Sequence, residues 1–420
     1  MNMLQDSITR FTSYNRNIKL LILGNIFIQI GLGITSIIYN FYIRTLGFEE
    51  AVNGHVISLA SLATALFLIP AGLMGDHKGR KKVLLAGLIA SGIFMLFRSV
   101  FESESLLLTL AFLMGASTAF FQVSVIPLLA ENSSVEERVH LFSFHFAVTT
   151  AANVVGNLIG GSLTDGLSLF LSDLHAIRIS LIIGVIIFVA GSIPLFKITE
   201  QKRQVHQKNS GRMTKATIDR DSIRIIVIFF ISQLFIGTGS GLVIPYLNLY
   251  FADRFLASNS VIGVILAIGQ AATAVAMFVG PAFVKRFGEV KAVMILQLLS
   301  LPFLLLTAYT ESLWIAGIAF LFRQALMNAG NPIQMSLMMS LVEDRYKGLA
   351  NSINQMAFNF GWAFMGPVSA SLVMNFGDYW GYAAVFTITA FIYLLGTLYF
   401  YFILKSFKRS GQTGEAPAAA

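Results

Sequence analysis

Long apolar runs, each interrupted by a short polar stretch, organise this chain. In order they cover Lys19–Ile43, Gly54–Met74, Val83–Phe101, Leu106–Ala130, Val139–Leu163 and Ile177–Phe196. A polar, basic stretch follows. Six further runs then cover Ile223–Phe251, Val261–Val284, Val290–Tyr309, Leu313–Leu341, Leu349–Met374 and Tyr382–Leu404. Apolar runs of about 20 residues read as helices that cross a bilayer. The pattern predicts an all-α integral membrane protein with twelve spans, numbered here in chain order. Residues 1–18 form an N-terminal segment, 19–196 a first six-helix bundle, 197–222 a basic linker, 223–404 a second bundle, and 405–420 a tail read as disordered.

Composition narrows the function classes. Of 420 residues, 56% are hydrophobic and only 12% charged, against about 25% charged in a soluble domain. The absence of cysteine removes disulfides, thiolate metal sites and a cysteine nucleophile. No Gly-x-x-x-x-Gly-Lys-[Ser/Thr] run and no His-x-x-x-His pair occurs, so neither ATP-driven transport nor an enzyme is expected. No cofactor and no metal are expected either. The polar first eighteen residues and the length of the next run argue against a cleavable signal peptide.

The net charge of +8 is topological and implies no nucleic acid. If both termini are cytoplasmic, 24 of the 29 lysines and arginines fall in inside segments, the bias that the positive-inside rule demands. The outside loops and helix ends then hold only Arg44, Arg98, Arg178 and Arg254. The expected location is a bacterial plasma membrane.

The two halves repeat. Phe27-Ile28-x-x-Gly31-x-Gly33 with Asn40-x-Tyr42 returns 208 positions later as Phe235-Ile236-x-x-Gly239-x-Gly241 with Asn248-x-Tyr250. Gly79 returns as Gly288, and Val135-Glu136-Glu137-Arg138 as Val342-Glu343-Asp344-Arg345. A repeat of six spans places two bundles about a central pathway, with a site near the midplane.

Between spans 2 and 3 runs GLMGDHKGRKK, with Gly72, Gly75, Asp76, Gly79, Arg80, Lys81 and Lys82. Its glycines allow sharp turning. This order, Gly-x-x-x-Asp-x-x-Gly-Arg-Lys, resembles the signature loop of the major facilitator superfamily of secondary transporters, and the twelve-span repeat extends the likeness over nearly the whole chain. The resemblance implies a functional monomer that moves a small-molecule substrate by alternating access, with the loop as a gate and Glu131 pairing with Arg80 in one access state. It also implies that spans 1, 4, 7 and 10 line the cavity, with faces of 2, 5, 8 and 11 beside them.

Polar residues within the spans are the candidate cavity set. Asn25, Gln29, Ser36 and Asn40 share one face of span 1, and His145, Thr149, Asn153 and Asn157 recur at every fourth position of span 5. Gln122, Asn248, Asn331, Asn354, Asn359 and Trp362 join them. Such amides either face a polar pathway or join helices by hydrogen bonds. Arg323 sits about 15 Å into span 10 with no acid in the middle of any span, and a charge at that depth marks a pathway or a substrate site. His145 is the candidate for proton coupling, since imidazole titrates near neutrality.

Exporters in the superfamily often carry Gly-x-x-x-Gly-Pro-x-x-Gly-Gly on helix 5. Here Ala152-x-x-x-Gly156-Asn157-x-x-Gly160-Gly161 keeps the packing glycines without the proline, and Gly366-Pro367 stands at the repeat-equivalent place. The arginine often found on helix 4 is also absent. The reading favoured here is export of amphiphilic organic compounds, on the strength of the aromatic cavity helices and the partial helix-5 motif. The alternatives are uptake or exchange of a small anionic metabolite at Arg323, and a receptor or scaffold that moves nothing.

Overall fold

Each apolar run forms a helix, and most helices outlast the run that predicts them. The computed structural model describes residues 14–133, 135–199, 220–342 and 347–413. The middle of the basic linker, residues 414–420, the side chain of Asp76 and most side chains of the repeated acidic turns lie outside the described residues.

The first bundle comprises α1 (Arg16–Thr45), α2 (Glu50–Lys78), α3 (Arg80–Val100), α4 (Glu104–Glu131), α5 (Val135–Ser168) and α6 (Asp173–Ala190, resumed as Ser192–Phe196). In the second, α7 (Arg220–Val243) passes through a 3-10 turn, Ile244–Tyr246, into Leu247–Phe255. Then come α8 (Asn259–Phe287), α9 (Glu289–Tyr309) and α10 (Leu313–Ala329, resumed as Asn331–Leu341). The helical stretch Lys347–Thr413 breaks at Gly377, whose φ of 74° ends α11 (347–376) and lets α12 (378–413) turn back.

Two boundaries differ from the sequence reading. The tail is helical as far as Thr413, because α12 continues past Leu404, and Arg220 to Ser222 belong to the first turn of α7 rather than to the linker. The prolines Pro70, Pro127, Pro302 and Pro367 sit inside helices, which membrane helices tolerate because neighbours satisfy the freed carbonyls.

The start of α1 and the end of α12 lie at one end of the molecule, called here the near end. Asn17 at the start of α1 donates to the Thr199 carbonyl after α6 (2.9 Å), and the Arg224 guanidinium at the start of α7 lies 5.6 Å from the Phe407 ring of α12. Within the first bundle α1 packs on α5 and α6, and α4 on α2 and α3; within the second α8 and α9 pack on α10.

Buried apolar side chains form one large core in the far half. It joins Ile37, Ile38, Tyr42, Ile177 and Leu181 of the first bundle to Tyr246, Leu247, Tyr250, Phe251 and Phe386 of the second. In the near half the core divides. One cluster gathers Ile18, Leu21, Leu84, Leu128 and Leu195; a separate one gathers Ile225, Phe229, Val293, Leu337 and Phe400. A small cluster of α2 and α4 around Leu68, Ala71 and Ala119 is touched by Met356 of α11.

The bundles approach each other through two equivalent contacts. A Cβ on Gly366 would collide with the Gly54 carbonyl, so α11 and α2 meet backbone to backbone. Gly263 of α8 meets the Asn157 carbonyl of α5 in the same way (2.8 Å to a built Cβ). Gly54 and Gly263 lie 209 positions apart, as do Asn157 and Gly366. One close approach is thus made twice about a pseudo-two-fold axis.

Candidate functional site

A cavity of about 480 Å³ lies between the bundles beneath the far core. Of the candidate cavity residues, Gln29, Ser36 and Asn40 of α1 line it, with Gln122 of α4 and Asn153 of α5. Asn157 of α5, Asn248 of α7 and Trp362 of α11 complete that set. The Trp362 indole donates to the Ser240 hydroxyl (2.7 Å). The walls between the amides are apolar, including Leu32, Val56, Met95, Leu181, Leu266 and Phe320.

Other candidates stand elsewhere, and each has a local reason. Asn25 is buried and donates to the Leu21 carbonyl (2.9 Å), and the Thr149 hydroxyl donates to the His145 carbonyl (2.8 Å), so both serve their own helix. Asn331 donates to Asn328 Oδ1 (3.1 Å) and Asn359 to the Gln355 carbonyl (3.0 Å). Asn354 is also off the wall, and its Oδ1 has no partner among the described residues.

Arg323 is buried but does not line the cavity. Its Nη1 donates to Gln324 Oε1 (2.7 Å) and its Nη2 to the Tyr393 hydroxyl of α12 (2.9 Å). Gln324 is the residue that reaches the wall. His145 is buried with its ring 5.7 Å from Phe146, and its Nδ1 has no hydrogen-bond partner among the described residues.

The far end is closed by polar contacts across the axis. Asn40 and Asn248, repeat-equivalent residues, bond each other: Asn40 Nδ2 donates to Asn248 Oδ1 (2.9 Å) and to the Pro245 carbonyl (2.6 Å). Asn248 Nδ2 donates to the Ile37 carbonyl (2.9 Å). Ile37 and Pro245 are themselves 208 apart, so each amide caps the same carbonyl of the opposite bundle. Above them Arg44 donates twice to Asp253 (2.6 and 2.9 Å) and once to Glu50 (2.8 Å), and Tyr382 donates to Asp253 (2.8 Å). Asp165 of α5 accepts from the side chain of Asn259 and the backbone N–H of Ser260 (both 2.8 Å), placing a carboxylate at the positive N-terminus of α8.

The near-end signature residues take a different form from the expected loop. Gly72 and Gly75 lie in the last turns of α2, not in a turn, and an added methyl would make only ordinary contacts there. Only Gly79 has positive φ (95°), and it alone makes the α2–α3 corner. Arg80 pairs with Glu131 (2.8 Å), while Lys81 donates to the Phe196 and Ile198 carbonyls at the end of α6 (2.9 and 2.6 Å). On α5, Gly156 and Gly160 pack against Ile30 and Ile34 of α1 within the bundle, whereas Gly161 meets Asn259 across it. Gly366, followed by Pro367, makes the crossing contact with Gly54.

Two groups escaped the sequence reading. Arg98, counted there among outside helix ends, lines the cavity and is 6% exposed. Its position three residues before the end of an apolar run was the available signal. Arg44 and Asp253 are opposite charges one position out of the local repeat register, which pairs Arg44 with Ala252, so the repeat did not point to them.

Comparison with known proteins agrees with this architecture. The family model described as Major Facilitator Superfamily matches residues 21–227 and 229–420. The chain is 23% identical over 399 residues to "Multidrug resistance protein MdtG" of Proteus mirabilis (strain HI4320), covering 93% of this chain and 96% of that protein. It is 25% identical over 387 residues to the protein of the same name from Enterobacter lignolyticus (strain SCF1), covering 89% and 87%. Among solved structures, the nucleoside transporter NupG superposes with a TM-score of 0.71 at 16% identity, covering 93% of this chain and 99% of that one. A bacterial homologue of the human lysosomal transporter Spinster, in its inward-facing and occupied conformation, gives 0.73 at 15%, covering 93% and 97%. Twelve helices among the described residues in two pseudo-symmetric sets, a signature corner at Gly79 and a family match along almost the full length place this chain in the major facilitator superfamily of membrane transporters.

Proposed function

We propose that the chain is a multidrug-type exporter, moving amphiphilic organic compounds across the inner membrane of a bacterium by alternating access. The observation that carries this reading is the cavity itself. It is walled by apolar side chains with scattered amides, roofed by one far core shared by both bundles, and flanked in the near half by two separate cores. Such a chamber suits greasy molecules held by few directed contacts. With both termini cytoplasmic, as the charge bias favours, the state described is the one open to the cell interior. The curated relatives, named for multidrug resistance, support the same direction of transport.

Within this reading the α2–α3 corner, with Asp76, Arg80, Lys81 and Glu131, is the near-end gate. Asn40–Asn248 and Arg44–Asp253 hold the far-end gate. His145 is the residue proposed for proton coupling, and the transporter acts as a monomer. Expression in a bacterium stripped of its own exporters tests the function. Accumulation of a panel of cationic, neutral and anionic fluorescent amphiphiles should fall several-fold for at least one member, and a protonophore should restore it. Unchanged accumulation of the whole panel overturns the reading.

A further inference from the structure

The half-buried arginines toward the far end have their charge met by formal or partial negative charge. Arg44 has Asp253 and Glu50, Arg178 has Glu102 (2.6 Å), and Arg254 has the carbonyls of Ala308, Tyr379 and Thr310. Arg98 is the exception on the cavity wall. Its Nε donates to the Tyr39 hydroxyl (3.0 Å) and its Nη1 to the thioether of Met114 (2.9 Å), a weak acceptor. Its Nη2 has no hydrogen-bond partner among the described residues. The nearest acid along the chain, Glu102, is taken by Arg178, and no Asp or Glu lines the cavity.

Geometry explains how a residue near the far end of α3 comes to serve the chamber. In a helix the Cα–Cβ bond tilts toward the N-terminus, so a long side chain on the penultimate turn reaches back along the helix axis. Here that direction runs from the closed end toward the cavity. The Tyr39 ring, its centroid 4.0 Å from the guanidinium carbon, holds the group by a cation–π contact. The charge is therefore fixed in place before any ligand arrives, which lowers the ordering cost of binding. The C-terminus of α3 offers only a partial negative charge to a cation there, so the full charge of an oxyanion is the missing partner.

We infer that Arg98, positioned by Tyr39, is the subsite for the anionic group of the transported molecule, and that the substrates are amphiphiles pairing one carboxylate-type oxyanion with an apolar body. This rests on the reading of the cavity as the transport site. The oxyanion takes the free edge of the guanidinium, amides such as Gln29 and Gln122 add donors, and the apolar walls cover the remainder. Lipophilic cations are disfavoured by the same fixed charge.

The test is calorimetric titration of the purified full-length protein with three matched probes: a naphthylalkyl carboxylate, its primary amide and its trimethylammonium counterpart. On wild type the carboxylate should bind about tenfold or more tighter than the amide, and the ammonium most weakly. In Arg98→Gln the carboxylate-to-amide ratio should fall to about one, with Arg98→Lys between. Equal affinity for carboxylate and amide on wild type, or a preference that survives in Arg98→Gln, overturns the anion subsite and leaves the exporter reading standing. Failure of all three probes to bind wild type overturns both. The wild-type comparison decides the charge preference even if Arg98→Gln does not fold.

Discussion

The far and near halves of the molecule are built from the same helices, yet among the described residues the large core shared by both bundles lies in the far half. There Ile37, Tyr42, Tyr246, Leu247 and Tyr250 pack as one cluster across the axis. In the near half the two larger clusters stay within their own bundles, with Met356 of α11 touching the small α2–α4 cluster. The difference lies in what each half brings to the axis. The far half offers glycines that let backbones touch at Gly54–Gly366, and polar groups that find partners at Asn40–Asn248 and Arg44–Asp253. The near half carries the basic residues, and the Arg80–Glu131 and Lys81–Phe196 contacts are made within one bundle. A transporter needs both gates to be reversible, so a seal of van der Waals contact and a few exchangeable polar bonds is better suited than a continuous core. The comparison can be broken most directly at its steric contact.

Replacing Gly366 by valine should have the largest effect. The new side chain meets the Gly54 carbonyl and the Ser58 hydroxyl, and interiors accommodate such overlap only by displacement. Because the contact lies between bundles, each bundle should still fold. Transport should fall at least about tenfold, within the roughly hundredfold that a 1 Å misplacement of positioned groups can cost. The chain has no native cysteine, so Ser36→Cys on the cavity wall gives a clean reporter. Its labelling by an impermeant thiol reagent from the far face should rise in the Gly366→Val background. Unchanged rate and labelling would show that the glycine contact is incidental.

The ion pair should give a smaller opening. Arg44 is 36% exposed at its side chain, so the pair is worth roughly 1 kcal/mol rather than the value for a buried one. Arg44→Gln should raise far-face labelling of Ser36→Cys about fivefold, which is that energy expressed as a population shift. Asp253→Asn should match it. The double variant should be no more open than either single one, because both remove the same interaction. Additive effects would mean that Glu50 and Tyr382, not the Arg44–Asp253 pair, hold this end.

How much of this was legible in the sequence depends on range. Helices, their number and their internal repeat are local or periodic signals, and the apolar runs and glycine punctuation carry them well. The Gly79 corner was legible for the same reason. What failed was direction. Thr149 and Asn25 sit on the right helices, but their side chains bond their own backbone. Arg323 is deep, as its place in the run requires, yet its charge turns to Tyr393 behind the wall while its neighbour Gln324 faces the cavity. Arg98 was misplaced because counting along a helix locates a Cα, whereas a seven-atom side chain extends toward the helix start. Asn331 likewise spends its amide on a neighbour of its own span, Asn328. The Gly72 and Gly75 expectation failed because helix α2 persists through them and only Gly79 needs positive φ.

The paired asparagines sharpen the comparison at lower energy. Asn40→Ala and Asn248→Ala each remove bonds worth about 1 kcal/mol apiece, and the pseudo-symmetry of their contacts predicts equal shifts of a few-fold in far-face labelling. Both residues also line the cavity, so the equality is informative. If one variant weakens ligand binding while the other only opens the gate, the two halves have divided the roles of substrate contact and lock.

The smallest effect should come from the near end. Arg80 and Glu131 are 19% and 39% exposed at their side chains and pair inside the first bundle, so Glu131→Gln costs this state at most about 1 kcal/mol. Far-face labelling of Ser36→Cys should change less than about twofold, because no contact across the axis is lost. Turnover should nevertheless fall if the corner is the near-end gate, since its energy would then be expressed in the other access state. A Glu131→Gln variant that opened the far end as Arg44→Gln does would tie the two gates through the first bundle alone. A variant that left both labelling and turnover unchanged would make the pair a surface contact that stiffens the corner and nothing more.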